Sequence, residues 1–205
     1  MTYGTSWIRK KRSRIMNEDI VLMLTGWKEL KRHLDEIPNR DFMDMTVCYL
    51  IAQESWEDDG EAGLDLRTLL DRDLKNRNIS NMEELYQSAL KNTEELFPAE
   101  ISLVTDGMYC ITNDQHTFGA TAMMYPDKLK SVSELIGSDM YVVPSSIHEV
   151  ICIAPEAVDP ADIYDYIQYS NKEYLAPKDV LSSSLYYYEA SQQCLTIAYS
   201  ENSFS

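Results

Sequence analysis

The stretch MYVVPSSIHEVICIA, residues 140–154, carries the clearest fold signal in the chain. Two runs rich in apolar and β-branched residues, 140–143 and 149–154, lie on either side of Pro144-Ser145-Ser146. Such runs, bounded by turn-forming residues, are typical of neighbouring strands. The stretch therefore predicts a strand pair.

Similar signals continue toward the C-terminus. Strands are predicted at 108–112 and 117–125, joined as a hairpin, and at 185–189 and 194–199 as a final pair. Three helices are predicted between these strands. They begin at Pro126, at the N-cap Asp159 followed by Pro160, and at Pro177.

Helical signals are more frequent in the N-terminal half. A helix is predicted from Glu18 to Pro38, followed by a strand over 43–52 that turns at 57–60 into a return strand over 62–66. Further helices are predicted over 69–75 and from Asn81 to Pro98, where Ser80 and Glu83 have the spacing of a capping box. We therefore expect an α+β fold with a helix-rich N-terminal half. Its mixed or antiparallel sheet would have helices packed mainly on one face.

Charge is distributed unevenly along the chain. Five of the 18 basic residues lie in residues 1–15, which we expect to form a flexible basic tail, and 16–205 would form a single α+β domain. The whole chain has a formal net charge of −16. This charge disfavours direct contact with nucleic acid or anionic membrane and favours a basic protein partner.

No apolar run is long enough to span a bilayer, and no signal core follows the basic tail, so we expect a cytoplasmic protein. The four cysteines lie far apart and are expected to be reduced core thiols. Neither metal-ligand spacing nor a phosphate-binding glycine motif occurs, so no metal and no cofactor are expected.

The segment from Pro144 to Glu149 contains the residue types of a hydrolase. A nucleophile from Ser145 or Ser146, His148 as base, and an acid from Glu149 or the more distant Asp139 would complete such a site. If 147–153 is a strand, however, His148 and Glu149 point to opposite faces and cannot act as base and orienting acid. The favoured interpretation is a turn with a structural histidine. A small hydrolase centred on this segment is therefore the alternative hypothesis.

Tyrosine is the one enriched aromatic residue, and several tyrosines alternate with acids after Asp159. Tyrosine anchors protein interfaces and carboxylates steer basic partners. On a helix, Tyr166 is expected to face inward with Ile163 and Ile167. The predicted binding residues are Tyr164, Asp165, Tyr169, Glu173 and Tyr174.

Six segments carry a resemblance to a known family. They are 37–44, 92–98, 112–113 with 119–120, 137–139, 144–150 and 176–182. From about Glu18 to Tyr199 the chain resembles a bacterial family known as domain of unknown function 5688. The resemblance implies a bacterial, cytoplasmic α+β protein, and it implies no activity or catalytic residue. Members carry a further N-terminal portion that residues 1–15 do not resemble, so we expect this chain to lack it.

The leading hypothesis is a protein of unknown function that acts as a non-enzymatic acidic protein-binding or regulatory module. Its partner would be a basic protein, including a nucleic-acid-binding protein whose site this chain would occupy as a charge mimic. The strongly acidic body and the missing catalytic and cofactor motifs favour this hypothesis over the hydrolase.

Overall fold

A computed structural model of the chain describes residues 19–26, 37–56 and 62–200. Ten strands in these ranges form two antiparallel sheets, one of four strands and one of six. The described residues group into two compact units. The first contains 19–23, 37–40, 47–56 and 62–98, and the second contains 24–26, 41–46 and 99–200.

The four-stranded sheet is built around one long strand. It comprises β1 (Asp19–Thr25), β2 (Asn39–Phe42), β3 (Met45–Trp56) and β4 (Ala62–Thr68). Its strand order is β1-β3-β2, and β4 also pairs with β3. The predicted strand near 43–52 and its return strand are confirmed as the antiparallel β3–β4 pair. The turn predicted at 57–60 lies outside the described residues.

Two helices follow β4, namely α1 (Asp71–Asn76) and α2 (Met82–Leu96). The side chain of Asn81 caps α2 by accepting from the backbone N–H groups of Glu83 and Glu84, so the N-cap predicted at Ser80 is wrong by one residue. Helix α2 packs on β1, where the N–H of Leu22 donates to Thr93 Oγ1 over 2.8 Å.

Strand β1 contradicts the helix predicted from Glu18. Residues 20–25 are all buried, including consecutive ones, so both faces of the strand are covered. A short run that is apolar on both faces has no diagnostic period, and pairing with β3 decides its conformation. Residues 18 and 27–36 of that predicted helix, and the predicted tail over 1–15, lie outside the described residues.

The six-stranded sheet contains β5 (Ala99–Thr105), β6 (Met108–Asn113), β7 (Met140–Ser146), β8 (Glu149–Ile153), β9 (Leu185–Glu189) and β10 (Cys194–Tyr199). Its order is β10-β9-β7-β8-β6-β5. The pairs predicted from the sequence, β7–β8 and β9–β10, are both confirmed.

Helical segments cover both faces of this sheet. Helix α4 (Pro160–Glu173) packs against one face through Ile163, Tyr164 and Ile167, which contact Val143, Ile153 and Leu185. The alternate residues Val142, Val150 and Cys152 point to the opposite face and are fully buried. Tyr188 points to the same face, and burial, followed by the charges of Asp127 and Glu134, raises its pKa. Glu134 belongs to helix α3 (Lys128–Ile136), which therefore lies on that side.

The predicted fold class is wrong in two respects. The described residues form mostly strands, and their N-terminal ranges, 19–26, 37–56 and 62–98, hold four strands and two helices, so that part is not helix-rich. Helices are also not confined to one face of the six-stranded sheet. In addition, the strand predicted over 117–125 is a 3₁₀ helix over Gly119–Met124, and β6 pairs with β5, which the sequence did not predict. Among the described helices, none has the length and apolarity needed to cross a bilayer.

Candidate functional site

The β7–β8 hairpin holds the four residues predicted for a hydrolase. Ser145 and Ser146 end β7, Ile147 and His148 form the two-residue turn, and Glu149 begins β8. His148 is thus a turn residue, as the prediction of a turn with a structural histidine expects, and the strand begins at Glu149. The Ser145 hydroxyl donates to Glu149 Oε1 over 3.1 Å. The Ser146 hydroxyl oxygen accepts from the backbone N–H of His148 over 3.1 Å.

One nitrogen of the His148 imidazole is hydrogen-bonded, and the other faces a carboxylate. Nδ1 accepts the backbone N–H of Phe118 over 3.2 Å, and Nε2 lies 3.9 Å from Asp179 Oδ1. The neutral ring therefore carries its proton on Nε2, facing the carboxylate, and its lone pair is committed to the backbone. A general base must have a free lone pair near its nucleophile, and His148 has none to offer Ser145 or Ser146. The predicted serine–histidine–acid arrangement is not assembled.

Several loops meet at this turn. Thr112 Oγ1 donates to the His148 carbonyl over 2.8 Å, the Ala120 N–H donates to the Ile147 carbonyl over 3.3 Å, and the Ile147 N–H donates to the Asp179 carbonyl over 2.9 Å. These contacts join three of the six segments that carry the family resemblance, namely 112–113 with 119–120, 144–150 and 176–182. The hairpin turn is therefore a packing centre of the second unit.

Two further potential catalytic groups are also held in hydrogen bonds. Asp139, the distant acid of the hydrolase hypothesis, accepts from the Ala190 N–H over 2.9 Å and from the Tyr187 hydroxyl over 2.8 Å, and these bonds lower its pKa. The Cys110 thiol donates to Glu149 Oε2 over 3.6 Å. Burial, followed by the Glu149 charge, raises the pKa of Cys110 to about 12, so its thiol is a poor nucleophile at neutral pH.

Thiol reactivity is expected to distinguish one cysteine from the other three. Cys48, Cys110 and Cys152 are buried, and Cys194 is exposed on β10. A thiol reagent added at about pH 8 should therefore modify only Cys194 in the folded protein and all four thiols in denaturant. Mass spectrometry of the native adduct checks this. Rapid labelling of Cys110 in native protein would contradict the burial of that strand face.

A cluster that sequence analysis missed surrounds Asp44, in the turn between β2 and β3. Its Oδ2 accepts the hydroxyls of Ser182 over 2.9 Å and Ser184 over 2.8 Å, and its Oδ1 accepts the hydroxyl of Tyr186. Burial, followed by the bond to Asp44, raises the pKa of Tyr186, so this hydroxyl remains a donor. The partners lie 138 to 142 residues from Asp44, and no local pattern signals the contact.

Helix α4 carries the predicted binding residues. Asp159 caps it by accepting the Ala161 N–H over 2.8 Å, as predicted. Tyr164 is buried with Ile163 and Ile167, so its selection as an exposed binding residue is wrong. Tyr166, expected to face inward, is instead 60% exposed. The helix turns 100° per residue, and adjacent positions 163 and 164 share the buried stripe with 167, which leaves 166 outside.

The outer side of α4 presents aromatic and acidic side chains together. Tyr169 and Tyr174 are 53% and 68% exposed, and Asp162, Asp165 and Glu173 are also exposed. The rings of Tyr169 and Tyr174 meet edge to face with centroids 5.6 Å apart, and their hydroxyl oxygens are 3.4 Å apart. We call the exposed side chains of Asp162, Asp165, Tyr166, Tyr169, Glu173 and Tyr174 the α4 outer face.

The first unit contains a pocket of about 450 Å³ beside α2. Ile20, Leu85 and Ala89 form its apolar part, and Arg77 and Asn81 are among its polar residues. Most of the lining residues from the α1–α2 loop are exposed, so the pocket is shallow. None of the residues predicted for catalysis or binding lines it. In the described part of the chain, no three His, Cys, Asp or Glu side chains are placed to hold a metal ion.

Fold and site together define a strand-rich protein of two units, with an acidic, tyrosine-bearing helix on the second unit. Residues 102–190 match the family model described as Family of unknown function (DUF5688). The resemblance inferred from the sequence is therefore confirmed over this stretch, which runs from β5 to the end of β9. No curated protein and no solved structure matches the chain.

Proposed function

We propose that this chain is a protein-binding module whose α4 outer face engages a basic protein. The observation that carries the proposal is the exposure of three tyrosines, Tyr166 and Tyr169 on α4 and Tyr174 at its C-cap, beside three exposed carboxylates of the same helix. Buried tyrosines need no functional explanation, but large exposed aromatic groups placed side by side are typical of interaction surfaces.

The helical spacing supports a continuous contact surface. Asp162, Tyr166, Tyr169 and Glu173 follow one another at intervals of four, three and four residues, so they form a single stripe along α4. Tyrosine contributes a large contact area with few rotatable bonds, which makes it an effective anchor. The carboxylates attract Lys and Arg side chains and accelerate encounter with a basic surface.

The net charge of −16 favours the same class of partner. Among basic proteins, one that binds nucleic acid is the narrower hypothesis, because an acidic surface would occupy its binding site as a charge mimic. Competition by DNA or RNA for the complex tests that narrower form. The hydrolase alternative has no support from the position of His148.

We expect the α4 outer face to decide capture of a basic partner. The tagged protein is incubated with host lysate at about 50 and about 300 mM salt, bound proteins are identified by mass spectrometry, and the partner is then purified for calorimetry. Replacing Tyr166, Tyr169 and Tyr174 with serine should weaken the purified complex at least about tenfold. Raising the salt should weaken it further.

A matched control removes exposed apolar side chains from other elements. Met82 on α2 and Leu135 on α3 are 38% and 57% exposed, and their replacement by serine should leave affinity unchanged. The α4 outer face is not the contact surface if the variant with three serines binds the partner as tightly as the wild-type protein does. The same conclusion follows if affinity does not depend on salt.

A further inference from the structure

Strand β5 forms one edge of the six-stranded sheet. It pairs with β6 in regular register from Ala99 to Leu103, and among the described residues no strand pairs with its other side. An unpaired edge leaves alternate N–H and C=O groups available to another extended chain. Residues 101–105 include neither a charged residue nor a proline, which are common protections of exposed edges.

The apolar side chains of this edge are unusually accessible. Leu103 is 63% exposed and Val104 is 54% exposed, whereas Ile111 on the adjoining β6 is fully buried. The register shifts between Leu103 and Thr105, so the irregular pairing is confined to the hairpin end of the strand. Five residues, 99–103, therefore remain in regular extended geometry with one side open.

The carboxylates of β5 and of the residue that follows it define its charge. Glu100 and Asp106 are exposed at opposite ends of the apolar segment, and residues 92–127 contain no Lys or Arg. The nearest imidazole is that of His116, whose Nε2 lies 3.7 Å from Glu100 Oε2. A strand lying along β5 would thus meet an apolar centre and a carboxylate at each end.

We propose that β5 is a strand-addition site for an extended peptide segment with an apolar, β-branched centre and Lys or Arg at both ends. Backbone hydrogen bonds along 99–103 hold the segment, Leu103 contacts its centre, and Glu100 and Asp106 pair with its basic ends. This surface is separate from the α4 outer face, so the inference goes beyond the proposed function and stands or fails independently.

A second copy of the chain is the wrong occupant on electrostatic grounds. In an antiparallel pair of β5 strands, the Glu100 end of one copy meets the Asp106 end of the other. In a parallel pair, each acid meets its own counterpart. Like charges opposite one another destabilise strand pairing, and each copy has a net charge of −16.

The test uses the synthetic peptide Lys-Thr-Val-Ile-Val-Thr-Lys with a fluorescent label, and a second peptide whose terminal lysines are replaced by glutamates. We expect fluorescence anisotropy to show at least about tenfold tighter binding of the lysine-ended peptide. Hydrogen exchange should show protection of the β5 amides in that complex. A third peptide with proline at its centre should bind weakly, because it lacks a backbone donor and cannot pair as a strand.

Leu103→Lys places a positive charge on the edge and should weaken binding of the lysine-ended peptide at least about tenfold. Val104→Lys provides a second test at the neighbouring exposed position. Leu135→Lys is the matched control, because it adds the same charge at a comparably exposed leucine on α3 and should leave binding unchanged. All three positions are exposed, so the variants should fold, which circular dichroism checks.

Three outcomes would overturn the proposal. One is failure of the lysine-ended peptide to protect the β5 amides at millimolar concentration. Another is equal binding of the proline-containing peptide, which would exclude strand addition. The third is a dimer in sedimentation experiments that Leu103→Lys dissociates, since this would assign the edge to a second copy. If the α4 variants lose the basic partner but still bind the peptide at β5, the two surfaces act independently, and the two proposals are tested separately.

Discussion

Gly119→Ala is expected to destabilise the second unit by about 3 kcal/mol or more, because the added methyl group overlaps neighbouring atoms. A Cβ atom at this position would lie 2.2 Å from Thr112 Oγ1, 2.4 Å from the His148 carbonyl oxygen and 2.8 Å from the Asn113 backbone nitrogen. Two of these three atoms belong to the backbone, so rotation of a side chain cannot relieve the overlap.

The sign of the effect is informative. Where space permits, glycine to alanine stabilises a protein by about 0.4–1 kcal/mol, because it restricts the unfolded chain. At Gly119 the new methyl group would also separate Thr112 Oγ1 from the His148 carbonyl, which are hydrogen-bonded over 2.8 Å. Thermal and urea unfolding of the variant measure the change, and hydrogen exchange shows whether the β7–β8 turn opens.

Gly137→Ala serves as the matched control. Gly137 ends α3 with φ +84°, and a Cβ atom there would have no neighbour within 4 Å. Its replacement should cost about 1 kcal/mol, through backbone strain alone. If Gly119→Ala lowered the free energy of unfolding by no more than Gly137→Ala does, residues 112–113 and 119–120 would not be closely packed on the hairpin turn.

The elements that sequence predicted correctly have strong local signals. Asp159 followed by Pro160 starts α4, because an acceptor side chain and a fixed φ act within one turn of chain. Strands β7 to β10 are short apolar runs bounded by turn residues, so their positions also depend on local sequence. Buried positions on α4 were less predictable, since the choice between Tyr164 and Tyr166 depends on where the helix contacts the sheet.

The strand predicted over 117–125 does not begin at Thr117, because the side chain of Asn113 folds the chain into a turn there. Asn113 Oδ1 accepts the backbone N–H groups of Gln115 and Thr117, and its Nδ2 donates to the Thr117 carbonyl over 2.8 Å. This network winds the chain tightly, and His116 and Phe118 adopt left-handed backbone conformations with φ +52° and +53°. The Phe118 N–H then reaches His148 Nδ1, so a contact 30 residues away completes the turn.

The candidate site could be predicted only in part. The sequence identified the tyrosines and acids after Asp159, because enrichment is visible in composition. The sequence also indicated a hydrolase site at Ser145, Ser146, His148 and Glu149, because these residues are close in the chain. The structure divides them between a turn and two strands. Hydrogen bonds depend on direction as well as distance, and direction is fixed by tertiary packing.

The Asp44 cluster is the clearest case of a site without a sequence signal. Its carboxylate accepts three hydroxyl protons, while Tyr186 is fully buried and Ser182 and Ser184 are nearly so. Hydrogen bonds to a charged acceptor are stronger than those between neutral groups. Asp44 itself is exposed, so water replaces some of the hydrogen bonds that its substitution removes. The loss of unfolding free energy is then determined by the three buried hydroxyl donors.

Asp44→Ala is therefore expected to destabilise the second unit by about 2–3 kcal/mol, because three buried hydroxyls lose their acceptor together. Asp44→Asn should cost less, since its carbonyl oxygen still accepts, although its NH₂ group faces hydroxyl donors. Asp41→Ala removes an exposed carboxylate from the neighbouring β2 with the same change in net charge, and should cost less than about 0.5 kcal/mol. Urea unfolding compares the three variants with the wild-type protein.

A double-mutant cycle with Tyr186→Phe separates the hydrogen bonds from other consequences of losing Asp44. Asp44→Ala should be less costly in the Tyr186→Phe background, with a coupling free energy of about 1 kcal/mol or more. Strict additivity of the two substitutions would mean that Tyr186 and Asp44 do not stabilise one another. Equal stability of Asp44→Ala and Asp41→Ala would mean that the Asp44 carboxylate does not stabilise the turn between β2 and β3. The three hydroxyls would then donate to other acceptors in the folded unit.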